Sequence, residues 1–244
     1  MRSALVVLLA LLFVAPVRAE SMNGPAASYV LVDIGDLEDS MIQGSDVPGS
    51  IVIARYHPAD RDIRGGNLSP KTALDNKAST RISIYKNPVV KTKGMRQYLV
   101  KVEPDIWVIE AINGTSMSLG SKSFEVKEGQ VVDLGVIKPR ADWVEGEKAP
   151  SAGSTALGAL FFGRTGPKTV RPIYGEWHAR TSNDLSVPSS IKHLPLVEAN
   201  YQENATFGNY LGGLINRFGG RAARVKGPQS QSDDATTAQP ATGS

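Results

Sequence analysis

The chain has 244 residues, 41% of them hydrophobic and 21% charged, with 24 glycines, 15 prolines and no cysteine. The lack of cysteine excludes disulfides, lipid attachment at an N-terminal cysteine and a thiolate-based zinc cluster. The formal charge of +3 is no footprint for nucleic acid, because setting aside Arg2 and Arg18 leaves 25 basic against 24 acidic side chains.

Residues 1–19 have the form of a secretory signal. Arg2 supplies a positive start, residues 5–14 are an unbroken apolar run, and Pro16 breaks it. Val17 and Ala19 place small residues at the −3 and −1 positions, so cleavage is expected after Ala19, with a periplasmic or secreted product. The run is shorter than the roughly 20 apolar residues that span a bilayer. Residues 20–28, with Gly24 and Pro25, read as a flexible leader. Strands follow at 30–34, at 50–56 after the Pro48-Gly49 turn signal, and at 81–85, where Ile82 and Ile84 alternate with polar neighbours. The polar stretch 57–78 reads as a long loop. Acidic side chains dominate residues 20–60 and basic ones dominate 151–226, which favours pairing of the two ends or an acidic partner.

Residues 97–137 carry the clearest pattern. Tyr98, Val100 and Val102 share one face of a strand, and Pro104-Asp105 turns the chain. In 106–112, Trp107, Ile109 and Ala111 form one apolar face while Ile106, Val108, Glu110 and Ile112 form the other. A strand apolar on both faces is expected at the centre of a sheet. Asn113-Gly114 is a strong hairpin signal, because both turn positions require positive φ. Phe124 and Val126 then alternate with Glu125 and Lys127, Glu128-Gly129 turns, and Val132, Leu134 and Val136 line a returning strand. Tight turns with no intervening helix predict a mainly β fold, an antiparallel β-sandwich over residues 29–140.

The succession Pro104-x-x-Trp107 followed by Phe124-Glu-Val-Lys-Glu-Gly129-Gln-Val-Val-Asp-Leu-Gly135 resembles DUF2846-like domains of bacterial envelope proteins. It is also similar to the wider carboxypeptidase-regulatory, prealbumin-like sandwiches. The resemblance covers residues 97–137. It implies a sandwich fold and an envelope location, and no reaction. Lipid attachment, common among such proteins, has no cysteine to use here.

Beyond residue 140 the pattern changes. Residues 141–156 read as a linker, 157–226 as an appended region that wraps the sandwich, and 227–244, without aromatics or large aliphatics, as a disordered tail. Within the appended region, Phe207, Tyr210, Leu211, Leu214, Ile215 and Phe218 have the spacing of one helical stripe. A short amphipathic helix is expected over residues 206–218, capped by Thr206 and ended by Gly219. Gly208, Gly212 and Gly213 each cost such a helix about 1 kcal/mol, so it needs something to pack on. That is the chain's own sandwich or another molecule. The stripe, with Arg217 and Arg221, is therefore the candidate contact surface. Its partner is an envelope protein or a second copy of the chain. The basic residues Arg217, Arg221, Arg224 and Lys226 also suit an anionic membrane surface.

The residues suggest no catalytic, cofactor or metal site. His57, His178 and His193 are scattered. Residues 163–169 resemble a phosphate loop, but Pro167 stands where the motif needs glycine before Lys168. Ser189-x-x-Lys192 lacks the companion motifs of penicillin-recognising enzymes. Asp33, Asp36, Glu38 and Asp39 fit no known calcium loop spacing. The expectation is an exported, non-enzymatic protein whose sandwich and C-terminal helix mediate protein contact. The alternative is a glycan or small-molecule module built on Trp143, Trp177 and Tyr174, with Trp107 in the core. A hydrolase using Glu110 and Asp133 ranks last, since those acids would have to share a cleft.

Overall fold

The computed structural model describes residues 27–38, 43–64, 80–147, 149, 151–152, 171–210 and 212–223. The expected signal, the first seven residues of the leader, the tail and the apolar run 157–162 lie outside them, as do Asp39 and Leu211. Among these residues thirteen strands form two facing sheets: β1 Ser28–Gly35, β2 Ile51–His57, β3 Asp62–Ile63, β4 Arg81–Ile84, β5 Val90–Thr92, β6 Met95–Val102, β7 Asp105–Ile112, β8 Thr115–Ser116, β9 Ser121–Val126, β10 Val131–Ala141, β11 Ile173–His178, β12 Leu196–Glu198 and β13 Gln202–Ala205. One sheet runs β11-β10-β1-β6-β5, with β12 also on β10; the other runs β13-β9-β7-β2-β3, with β4 on β2 and β8 on β7.

The predicted β-sandwich is present, with two refinements. Most pairs are antiparallel, but β1 runs parallel to β10, and β10 parallel to β12. The sheets also continue past residue 140, because β11, β12 and β13 come from the region expected to be an appendage.

The core lies between the sheets. Val30, Val32 and Ile34 of β1 and Tyr98 of β6 meet Trp107 and Ile109 of β7 and Phe124 of β9. Trp107 is fully buried, and its indole N–H donates to the Glu103 carbonyl at 2.9 Å. β7 is central, as its two apolar faces predict, but strict alternation fails at its end. The β2–β7 register slips between Val52 and Ile53, so Ile112 turns inward to join Trp107 and Ile109. A bulge inserts one residue and exchanges the faces beyond it. The Asn113-Gly114 hairpin forms as its sequence predicts, with φ of 41° and 78°.

A second bulge lies in β10, beside Trp177 and Tyr201. Gly135 has φ 75°, and a Cβ there would stand 2.4 Å from the His178 carbonyl oxygen, so only glycine fits. The bulge leaves the Leu134 carbonyl to accept the Trp177 indole N–H at 2.7 Å and the Tyr201 hydroxyl at 3.0 Å.

Both outer faces of the sandwich are covered by the C-terminal half. Val187, Ile191 and Leu194 pack on Leu31, Leu99 and Val131 outside the first sheet. Phe207 and Tyr210 pack with Tyr56, Ile63 and Val108 outside the second.

Candidate functional site

The helix expected over residues 206–218 is not formed among the described residues. Gly212 and Gly213 hold φ of 88° and 96°, which no right-handed helix accepts. The segment is instead an extended strap laid beside residues 116–120. Ser116 N–H donates to the Leu214 carbonyl at 2.9 Å, Asn216 N–H to the Ser116 carbonyl at 2.8 Å, and Phe218 N–H to the Gly120 carbonyl at 2.7 Å. The physical reason is the one that weakened the helix in the sequence. Three glycines make helical hydrogen bonding costly, and a neighbouring backbone supplies the same bonds without that cost.

The strap divides the expected contact residues. Phe207 and Phe218 are buried, and Tyr210 packs half-buried beside Phe207. Leu214 and Ile215 are exposed at 36% and 37%. Arg217 is half-buried and forms no ion pair among the described residues. The Arg221 guanidinium lies 3.4 Å from Asp142, which also accepts from the Asn216 amide at 3.0 Å and the Arg221 backbone N–H at 3.2 Å. Asp142 and Asn216 thereby clamp the strap to the end of β10. Leu119, exposed at 46%, belongs to the turn that the strap pairs with, and its N–H donates to the Asn216 carbonyl at 3.3 Å. One hydrogen-bonded ladder therefore presents Leu119, Leu214 and Ile215 at the surface, with Arg217 beside them.

Behind this rim lies a lysine that sequence reading did not single out. Lys122 shares the inward face of β9 with Phe124 and Val126. Its ammonium sits 4.8 Å from the Trp177 ring, 5.1 Å from Tyr201 and 5.4 Å from Phe218, and it is ion-paired with Glu203. Rings around a desolvated cation are worth about 2 kcal/mol or more. Burial holds the Tyr201 phenol well above its ordinary pKa of 10.0, so the ring stays neutral beside the lysine. A small cleft of 160 Å³ opens here, lined by Gly120, Lys122, Glu203, Arg217 and Phe218 among others. Ligand pockets start at about 300 Å³, so this cleft is smaller than a usual small-molecule site. Nor do the three aromatics proposed for a glycan surface gather. Trp177 and Tyr174 point to opposite faces of β11, and Trp143 stacks under Arg171 at 5.3 Å.

The third cluster is polar and buried outside the first sheet. Arg180 bridges Asp33 at 2.5 Å and Asp133 at 2.7 Å, and donates to the Leu185 carbonyl at 2.7 Å. The Gln97 amide joins Asp33 at 3.0 Å. Burial is the largest influence on Asp33 and raises its carboxyl above the ordinary 3.8, against the downward pull of Arg180 and Gln97. The cluster fastens residues 180–187 to β1 and β10.

The acids considered for chemistry are each held by an arginine. Glu110 lies outside the second sheet with Arg81 at 2.8 Å, while Asp133 lies outside the first with Arg180, so the two share no cleft. Of the acidic loop, Asp36 pairs with Arg96 and Glu38 with Arg140. Among the described residues no cluster of metal-ligating side chains occurs, and no helix is long and apolar enough to cross a membrane. No protein-family model, curated protein or solved structure matches this chain.

Proposed function

We propose that this is an exported, non-enzymatic protein whose sandwich presents a contact rim for another protein. The observation that carries the reading is the split within the C-terminal stripe. Phe207 and Phe218 anchor the strap, which leaves Leu214 and Ile215 exposed beside Leu119. Large apolar side chains held on a rigid ladder cost little entropy on binding. Arg217, without an ion pair among the described residues, borders them. The surface that fits is apolar at its centre and acidic at its edge. The signal-like residues 1–19 and the resemblance of residues 97–137 to envelope domains support an envelope location.

A photo-crosslinking residue at Ile215 in the full chain tests this, with one at exposed Glu125 as control. The expected outcome is a discrete adduct in envelope extract at position 215 alone, weakened by salt and lost on Arg217→Glu. Equal adducts at both positions, or an adduct indifferent to Arg217→Glu, overturn the rim. Recovery of the chain on anionic vesicles, unchanged by Leu214→Ser, would point to the membrane and against a protein partner.

A further inference from the structure

The cleft behind the contact rim is built around charge. Lys122 and Glu203 both line it, and they differ in burial: 10% of the lysine side chain is exposed against 59% of the glutamate. The rings of Trp177, Tyr201 and Phe218 attract the ammonium through their faces. An ammonium carries three N–H donors, and Glu203 is its one carboxylate partner among the described residues. Lys122 is therefore fixed in place, whereas Glu203 can turn into water without burying a charge.

Arg217 lines the same cleft and forms no ion pair among the described residues. Between it and Asn204 lies Gly120. A Cβ on Gly120 would stand 3.8 Å from the Arg217 Cβ and 3.8 Å from the Asn204 amide oxygen. A larger side chain would fill that space, and the glycine, at φ 150°, leaves it open. Two cations and one carboxylate give the lining a net charge of +1. One monoanion balances it, while a dianion such as phosphate would press excess charge against Glu203. A water needs about 10–15 Å³. A cleft of 160 Å³ therefore holds a carboxylate with a few carbons behind it.

We propose that this cleft is a carboxylate-binding site. Arg217 takes the ligand in a two-pronged guanidinium–carboxylate pair, and Lys122 donates to it from the aromatic cage. Glu203 is the resident competitor, which yields its place on Lys122 when a ligand enters. The carboxylate comes from a free small molecule or from an acidic group of the protein that meets the rim. Only the second source rests on the contact-rim reading; the site itself does not.

Acetate titrated into the full chain tests the site, read by the Trp177 indole N–H resonance, with acetamide as an uncharged control of the same shape. Acetate is expected to give a saturable shift and acetamide none. Arg217→Gln should weaken acetate about tenfold, since one charge-assisted pair is lost. Glu203→Gln should tighten it about fivefold, because the competing charge is gone. A purely structural Lys122–Glu203 pair predicts neither the saturable shift nor that gain. Neither substituted side chain is buried, so the fold persists in both variants. An acetate response matched by acetamide, unchanged by Arg217→Gln or weakened by Glu203→Gln overturns the proposal. So does phosphate that binds more tightly than acetate. Acetate that lowers the Ile215 adduct more than chloride of equal ionic strength assigns the carboxylate to the protein partner. An adduct indifferent to acetate assigns it to a free molecule. Saturable acetate binding with no adduct keeps the site and removes the rim, so the two readings fail separately.

Discussion

Arg180→Met is expected to lower stability by about 3–5 kcal/mol at neutral pH, because it leaves two buried carboxylates without their cation. Asp33 has no exposed side-chain surface and Asp133 only 9%, so water cannot replace the guanidinium. The loss should depend on pH in a defined direction. Burial raises the Asp33 carboxyl above its ordinary 3.8, and Arg180 opposes that shift. A carboxyl whose folded pKa exceeds its unfolded one binds its proton more tightly in the folded state. Its contribution is full below 3.8 and is lost as pH rises through the folded value. Without Arg180 the folded value climbs further, so more stability is lost on the way to neutrality. The deficit against wild type should therefore shrink as pH falls through the carboxylate range. Urea midpoints of both proteins at neutral and acid pH measure it. A deficit of equal size at both would mean that Arg180 acts by packing alone.

Phe218→Ala should cost about 3–5 kcal/mol, the range for an emptied buried ring. Phe218 is 6% exposed, belongs to the main core and forms one wall of the cage around Lys122. Leu214→Ala, four residues earlier in the same stripe, should change stability by no more than about 0.5 kcal/mol, as an exposed site does. An amphipathic helix docked on the sandwich would bury both positions and make both substitutions costly. Comparable losses at 214 and 218 in chemical denaturation would contradict the strap. The contrast also guards the crosslinking experiment, since Leu214 and Ile215 can be changed while the fold persists.

The stripe from Phe207 to Phe218 shows why one periodic pattern yields two structures. Spacing at 0, 3, 4, 7, 8 and 11 reports only that apolar side chains recur. The same residues can meet a core from an extended backbone if its turns supply the rotation, and Gly212 and Gly213 do so with positive φ. The glycines were visible in the sequence as a weakness of the helix. What they allow instead, pairing with residues 116–120, depended on a neighbour nearly a hundred positions away. Lys122 gave no signal, because an aromatic cage assembled from Trp177, Tyr201 and Phe218 has no local spacing.

Strand identity was legible in the sequence wherever a β-branched run, an alternation of apolar and polar residues or a flanking turn signal marks a single segment: β1, β2, β4, β6, β7, β9 and β10 all fall where such local patterns place them. The turn at Asn113-Gly114 was legible for the same reason, since its φ requirement is local. Tertiary structure alone decided which strands are neighbours. β6 and β7 are joined by a tight turn at Pro104, yet they lie in different sheets, and so do β9 and β10 across Glu128-Gly129. β1 instead finds β10, about a hundred residues later, and runs parallel to it. A side chain's polarity is a property of its own position. The partner across a ladder is chosen by which closure buries both apolar faces at once, and that is a property of the whole chain.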